Sequence, residues 1–200
     1  MLVKICGLST IEDAIGSLEA GADLLGFVFA SSKRQVTVEQ VEEIRNQLPK
    51  EAKTVGVFVD TPIEMVNEIG HLVQLDYVQL HGKESIEDCQ QSEFPVIKAM
   101  SLGTERAMDQ VENYLPIVEY LLLDGPTPGS GQRFDWQIIE QIPYALEKII
   151  LAGGLSPKNV QTAIKQVKPI GVDVSSGVET DGKKDLKKIK RFIERAKGAR

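Results

Sequence analysis

Cysteine and histidine are scarce in this chain of 200 residues, which has only two of each. Cys6 and Cys89 lie far apart in the sequence, so in a reducing compartment we expect two free thiols rather than a disulfide. No group of cysteines and histidines has the spacing of metal ligands, since His71 and His81 stand alone. We therefore expect no metal and no disulfide framework.

Long hydrophobic runs and a leader segment are also lacking. No apolar run reaches the length that a membrane-spanning helix needs. The N-terminus carries a charge and polar residues too early for a signal peptide, so we expect a cytoplasmic protein with no membrane partner. The net charge of −6 argues against nonspecific binding to nucleic acid. With 42% hydrophobic residues, the composition is typical of a globular protein with one sizeable core.

The charge is uneven, because residues 183–200 are rich in lysine and arginine. One interpretation is an anion-binding tail. The other is an amphipathic C-terminal helix with a solvated basic face. Apolar residues at helical spacing favour the second interpretation: Leu186, Ile189, Phe192, Ile193 and Ala196.

Short apolar runs alternate with amphipathic segments along the whole chain. Strands are predicted at 2–6, 24–29, 54–59, 77–80, 96–100, 120–124, 148–152 and 171–175. Helices are predicted at 10–20, 37–48, 61–71, 85–91, 104–114, 136–141, 156–167 and 184–199. This alternation favours a parallel α/β fold, and eight repeats predict one (β/α)₈ TIM barrel domain over residues 1–200. A doubly wound sheet is the alternative, but it would usually carry a glycine-rich fingerprint after the first strand.

The predicted barrel places reactive side chains on one rim, because active sites of this fold lie at the C-terminal ends of the strands. Cys6 ends the first strand and Asp124 ends the sixth. Arg34 follows the second strand, and His81 follows the fourth.

Side chains alternate along a strand between the barrel interior and the helix layer. If Cys6 points inward, Lys4 does too, and a buried lysine needs a partner. Asp173 on the eighth strand is the candidate, since the first and eighth strands become neighbours only when a barrel closes.

Two glycine- and serine-rich segments predict a phosphate site. "LAGGLSPKNV" (151–160) ends a strand with Gly153 and Gly154, which allow a close backbone approach, and a helix follows. "VDVSSGVE" (172–179) exposes backbone N–H groups and the hydroxyls of Ser175 and Ser176. The loops after strands seven and eight form the recurrent phosphate site of barrels.

Four further side chains are candidates for chemistry or substrate binding. Asp124 follows three leucines, so burial should raise its pKa toward the range of a general acid, although it could instead cap the next helix. Cys6 is either a small core residue or a base, and a base must become a thiolate, which backbone N–H groups or Lys4 could favour. Arg34 could pair with a carboxylate in bidentate fashion or be a solvated loop residue. His81 could contact the ligand.

Taken together, these motifs resemble the phosphoribosylanthranilate isomerase family of tryptophan biosynthesis. The segments "VKICGL", "GFVF", "VGVFVD", "VQLHG", "LLLDGPTPGSGQRFDW", "LAGGL" and "GVDVSSGVE" occur in family order and cover the whole chain. The loop "ASSKRQV" departs from the usual family pattern of "SPR" followed by Tyr or Gly, so the alignment around Arg34 is less firm.

The resemblance implies a cofactor-free Amadori rearrangement. N-(5′-phosphoribosyl)anthranilate becomes 1-(2-carboxyphenylamino)-1-deoxyribulose 5-phosphate. Asp124 is then the general acid that protonates the ring oxygen, and Cys6 the general base that removes the C2′ proton. Arg34 holds the anthranilate carboxylate, and the loops after strands seven and eight hold the phosphate. The implied partner is this small substrate, and the implied state is a monomer or homodimer.

Two alternatives belong to other classes of function. One is another phosphate-barrel enzyme; a ribulose-phosphate epimerase would need metal-binding histidines, and a histidine-pathway isomerase has an aspartate where Cys6 stands. The other is a phosphosugar-binding barrel without catalysis, whose sign would be the loss of Cys6 or Asp124. Both residues are present.

Overall fold

The fold is that of a computed structural model, which describes residues 1–102, 105–125, 136 and 146–199, with residues 105–109 described by their backbone alone. The predicted helix at 136–141 lies outside the described residues except for Trp136.

Eight parallel strands form a closed barrel in chain order. They are β1 (Leu2–Cys6), β2 (Leu24–Val28), β3 (Thr54–Phe58), β4 (Tyr77–Leu80), β5 (Val96–Ser101), β6 (Tyr120–Asp124), β7 (Ile149–Leu151) and β8 (Gly171–Val174). Each strand pairs with the next, and β8 pairs with β1. The prediction of a (β/α)₈ barrel is confirmed, with strand ends shifted by at most a residue or so.

Helices follow most of the strands. In the described ranges they are α1 (Ile11–Glu19), α2 (Val38–Arg45), α3 (Ile63–Leu72), α4 (Ile86–Gln91), α5 (Glu105–Tyr114), α6 (Val160–Val167) and α7 (Leu186–Lys197). Thr37 and Gln40 form the capping box at the start of α2 that their spacing predicts. Within these ranges, no helix has the length and apolar character needed to cross a membrane.

The hydrophobic core has two layers, as the alternation of strand side chains requires. The larger layer lies between the strands and the helices and includes Ile5. The smaller layer fills the barrel interior: Leu24, Val55, Ile97, Ala99, Leu122, Ile150 and Ala152. The basic segment at the C-terminus forms α7, whose apolar side chains Ile189, Phe192 and Ile193 are buried. This confirms the amphipathic helix, although Leu186 is 44% exposed.

Lys4 and Asp173 form a buried ion pair across the seam that closes the barrel. They are register partners on β1 and β8, and Lys4 Nζ lies 2.8 Å from Asp173 Oδ1. Lys4 is fully buried. Burial alone would lower the pKa of Lys4, but the Asp173 carboxylate raises it by more, so its pKa is raised and the side chain stays charged. The predicted partnership is confirmed.

We expect Lys4→Met to destabilise the fold by about 3–5 kcal/mol, because it leaves the Asp173 carboxylate buried without a partner. Adding Asp173→Asn removes that charge and should recover most of the loss. Urea unfolding of both variants and of wild type measures this. If Lys4→Met lowers the free energy of unfolding as much in the Asp173→Asn background as in wild type, the loss does not come from breaking the ion pair.

Candidate active site

Cys6 and Asp124 both end barrel strands and are nearly buried, each with 7% of its surface exposed. Cys6 follows Lys4 on the inward face of β1. Asp124 follows Leu122, which belongs to the interior layer of the core. The barrel therefore presents a thiol and a carboxyl group on the rim where the strands end.

The Cys6 thiol shares its surroundings with the Lys4 ammonium. Gly26 is the register partner of Cys6 on β2, and a Cβ atom there would lie 3.1 Å from Cys6 Sγ and 3.2 Å from Lys4 Nζ. The missing side chain of Gly26 thus makes room for both groups. Burial raises the pKa of Cys6, and the positive charges of Lys4 and Lys184 oppose this without cancelling it. In the free protein, Cys6 is mainly a neutral thiol at neutral pH.

The Asp124 carboxyl has the raised pKa that its leucine-rich strand predicts. Burial raises the pKa to about 6, although the N–H of Gly125 donates a hydrogen bond of 2.7 Å to Oδ1 and partly offsets the effect. Such a pKa leaves a useful fraction of the protonated form near neutral pH, as a general acid requires.

This raised pKa also predicts that Asp124→Asn stabilises the fold in a pH-dependent way. The folded-state pKa of about 6 lies above the ordinary 3.8, so wild type loses stability as pH rises through this window. We expect the variant to be more stable than wild type by about 2–3 kcal/mol at pH 8 and by only about 0.5 kcal/mol at pH 4. Chemical denaturation at both pH values measures the difference, and a gain independent of pH would contradict this origin.

His81 lies directly after β4 and faces the carboxyl of Asp124. Its Nε2 is 3.7 Å from Asp124 Oδ2, and its Nδ1 is 2.9 Å from Nε2 of Gln79. Burial lowers the pKa of His81 to about 4, with Lys4 adding to the effect, so the ring is neutral and forms no ion pair. The tautomer in which the Gln79 amide donates to Nδ1 leaves the proton on Nε2. Among the described residues this buried Nε2 has no hydrogen-bond partner, which a polar ligand atom at that place would supply.

Arg34 lies in the loop after β2 and is not a solvated loop residue. It forms a bidentate ion pair with Glu179, from Nε to Oε1 at 2.6 Å and from Nη2 to Oε2 at 2.9 Å. Lys184 joins the same carboxylate at 2.7 Å. Sequence reasoning missed Glu179 and Lys184, since Lys184 lies in the basic segment 183–200, interpreted as a helix with a solvated face.

The loops after β7 and β8 line one cleft together with Asp124. Gly153 and Gly154 have the left-handed backbone that glycine favours, with φ of 84° and 62°. Ser175 and Ser176 lie across from them in the same cleft. Gly177 allows the two loops to touch, because a side chain there would collide with the carbonyl of Leu155. All four predicted phosphate residues are therefore brought together.

The helix after the glycine pair begins later than predicted. Regular α6 starts at Val160 instead of 156, because the Asn159 side chain forms hydrogen bonds within the turn that precedes it. Its side chain accepts the N–H of Ser156 at 2.7 Å and donates to the carbonyl of Gly154 at 2.9 Å. Asn159 holds the glycine loop in shape, and the sequence signal for it was an asparagine three residues after a serine.

In the part of the chain that the structure describes, no group of three or more His, Cys, Asp or Glu side chains is arranged to hold a metal ion.

A family model described as N-(5′-phosphoribosyl)anthranilate (PRA) isomerase matches residues 3–195. The chain belongs to this family. A PRA isomerase from Oceanobacillus iheyensis is 48% identical over 96% of this chain and 95% of its own length. A solved phosphoribosyl anthranilate isomerase in complex with reduced 1-(o-carboxyphenylamino)-1-deoxyribulose 5-phosphate is 44% identical, with a TM-score of 0.90, and the match covers 99% of this chain and 100% of that one. A structure of monomers generated from the dimeric enzyme of Thermotoga maritima has the same identity and coverage and a TM-score of 0.89.

Proposed function

We propose that Cys6 is the general base and Asp124 the general acid of the PRA isomerase reaction that this chain catalyses in tryptophan biosynthesis. The observation that carries the proposal is their placement: a thiol and a carboxyl of raised pKa both end strands of the barrel, beside the cleft formed by the loops after β7 and β8. One acid and one base are what an aldose-to-ketose rearrangement needs.

The reaction proceeds in two proton transfers. Asp124 protonates the furanose ring oxygen, the bond from this oxygen to C1′ breaks, and the anthranilate nitrogen becomes part of a Schiff base. The Cys6 thiolate then removes the C2′ proton, and the electron pair moves to form an enolamine. Tautomerisation of the enolamine yields the ketone product. Lys4 supports the second step, since its fixed charge lowers the pKa of the thiol below the value that burial alone would set.

The two charged groups of the substrate, its phosphate and its carboxylate, bind to different residues. The backbone N–H groups around Gly153 and Gly154 and the hydroxyls of Ser175 and Ser176 hold the phosphate. Arg34 holds the anthranilate carboxylate, and the protonated Nε2 of His81 donates to a substrate oxygen near Asp124. The bound reduced product analogue in a relative of 44% identity supports a phosphosugar ligand for this cleft.

We further propose a monomer or homodimer in the cytoplasm. The dimeric enzyme of Thermotoga maritima supports the homodimer, and the monomers generated from it support a barrel that folds alone.

The test is an assay with purified protein. N-(5′-phosphoribosyl)anthranilate is generated in situ, and the loss of its anthranilate fluorescence is followed. A first-order loss that scales with protein concentration, with no added metal or cofactor, is the expected result. Binding of the reduced product analogue without turnover would instead identify a phosphosugar-binding barrel and contradict the assignment of acid and base.

A further inference from the structure

We propose that Glu179 is a positioning residue, which orients Arg34 so that one free edge of its guanidinium binds the carboxylate of the substrate. The inference rests on the proposed function and adds to it the device that recognises the anthranilate ring. Arg34 is assigned to a carboxylate of the substrate, yet it already forms an ion pair with a carboxylate of the protein, that of Glu179. These two assignments are in conflict.

The geometry of the guanidinium resolves this conflict. An arginine side chain has five N–H donors in a planar fork, and a carboxylate can bind it side-on through Nε and one Nη or end-on through both Nη atoms. Glu179 takes the side-on edge, through Nε and Nη2. Among the described residues Nη1 donates no hydrogen bond, and Nη2 keeps its second N–H. The end-on edge can therefore bind a second carboxylate in bidentate fashion while the first remains in place.

Glu179 is itself held rigidly. Lys184 Nζ donates to its Oε1 at 2.7 Å and to the carbonyl of Ser175 at 3.1 Å, and Lys188 Nζ donates to the backbone carbonyl of Glu179 at 2.6 Å. The side chains of Glu179 and Lys184 are 9% and 3% exposed. Burial would raise the pKa of Glu179, but Arg34 and Lys184 lower it by more. The net pKa is lowered, so Glu179 remains a carboxylate.

The clamped arginine lies beside the reactive rim. Gly7 follows Cys6 with φ of 75°, and a side chain at Gly7 would collide with Cδ of Arg34. The same side chain would lie 3.1 Å from Oγ of Ser175. Arg34 therefore passes over the Cys6–Gly7 turn and connects the loop after β2 with the loop after β8. Arg34 and Ser175 therefore lie close to the same point, so a ligand whose phosphate lies near Ser175 is within reach of Arg34.

The charge of Glu179 and its positioning of Arg34 predict opposite effects on substrate binding when Glu179 is replaced. Removing its negative charge leaves Arg34 and Lys184 as two cations, which by charge alone would attract the substrate carboxylate more strongly. Removing the clamp frees a side chain with several rotatable bonds, and ordering it again on binding costs free energy. If positioning dominates, Glu179→Gln weakens binding of the substrate even though the site becomes more positive.

The experiment compares two substrates with wild type and Glu179→Gln: N-(5′-phosphoribosyl)anthranilate and N-(5′-phosphoribosyl)aniline, which lacks the carboxylate. We expect kcat/KM for the first substrate to fall about 10-fold to 30-fold, through KM, because the freed guanidinium must be ordered again when it binds the carboxylate. The variant and wild type should use the aniline substrate equally well. Glu179→Asp, which keeps the charge but shortens the reach, should also raise KM for the anthranilate substrate alone, and it replaces the first variant if that one fails to fold.

Asp76→Asn is the matched control. Asp76 is also a largely buried carboxylate paired with an arginine and a lysine, Arg45 at 3.9 Å and Lys53 at 2.7 Å, but it precedes β4 at the opposite end of the barrel. It should change neither substrate's kinetics. Equal losses on both substrates, or a lower KM in Glu179→Gln, would overturn the positioning role. An absence of wild-type turnover would instead refute the proposed function.

Discussion

We expect Cys6→Ser to lower kcat about 1,000-fold and to leave KM within a few-fold of wild type. General base catalysis contributes roughly 10²–10⁴-fold, and a serine hydroxyl at the same place is far too weak an acid to ionise as a thiol does. Because the base acts in the transition state and not in binding, the loss belongs in kcat. Steady-state fluorescence assays of phosphoribosylanthranilate consumption measure both constants.

Cys89→Ser is the matched control for this variant. Cys89 is also a free and buried thiol, with 4% of its surface exposed, but it lies on α4. Its kcat should equal that of wild type. A Cys6→Ser protein that retains near-normal turnover would remove the thiol from the mechanism and return Cys6 to the role of a small core residue.

Asp124→Asn is expected to lower kcat by a similar factor, about 1,000-fold, because an amide cannot protonate the ring oxygen. The amide oxygen keeps the hydrogen bond that Asp124 Oδ1 accepts from the N–H of Gly125, so the local backbone is preserved. Binding of the reduced product analogue, whose ring is already open, should be nearly unchanged.

The decisive comparison for Asp124→Asn is between binding and turnover, measured by calorimetry and by the fluorescence assay. Together with the stabilisation of the variant at pH 8, this would show that the wild-type carboxyl destabilises the fold while serving the reaction. An analogue affinity that falls as much as kcat would show instead that Asp124 binds the ligand and is not the proton donor.

The pKa values of the two groups predict an unusual distribution of protonation states. Asp124 has a pKa of about 6, while burial holds the pKa of Cys6 above its ordinary value. The reactive state needs the acid protonated and the thiol ionised, which is the reverse of the dominant state near neutral pH. From pH 6 upward, the gain in thiolate is offset by the loss of protonated Asp124. The visible ascending limb of kcat/KM therefore reports Asp124, although Cys6 is the base.

Much of the scaffold could be predicted from the sequence because it depends on local patterns. Alternating apolar runs and capped amphipathic segments identified the eight strands, and the inward parity of Lys4 and Asp173 predicted their pairing once a closed barrel was assumed. A buried charge has few acceptable surroundings, so the inference from one lysine to one partner was strongly constrained.

The contacts between loops could not be predicted in the same way. Arg34 and Glu179 are far apart in sequence, and nothing in local periodicity indicates that the loops after β2 and β8 meet across the Cys6–Gly7 turn. Lys184 stands among many lysines of a basic segment, so its burial had no signal of its own. The protonation of Cys6 depends on the balance of burial against Lys4 and Lys184, which only the packed structure provides.

The central claim is tested most directly by the pH dependence of kcat/KM in wild type and Asp124→Asn. Wild type should show an ascending limb near pH 6, set by the pKa of Asp124, followed by a plateau. In Asp124→Asn the bend near pH 6 should vanish, and the residual activity should keep rising about tenfold per pH unit until the thiol itself titrates. A bend to a plateau that remains near pH 6 in the variant would contradict the assignment of Asp124 as the acid that works with the Cys6 thiolate.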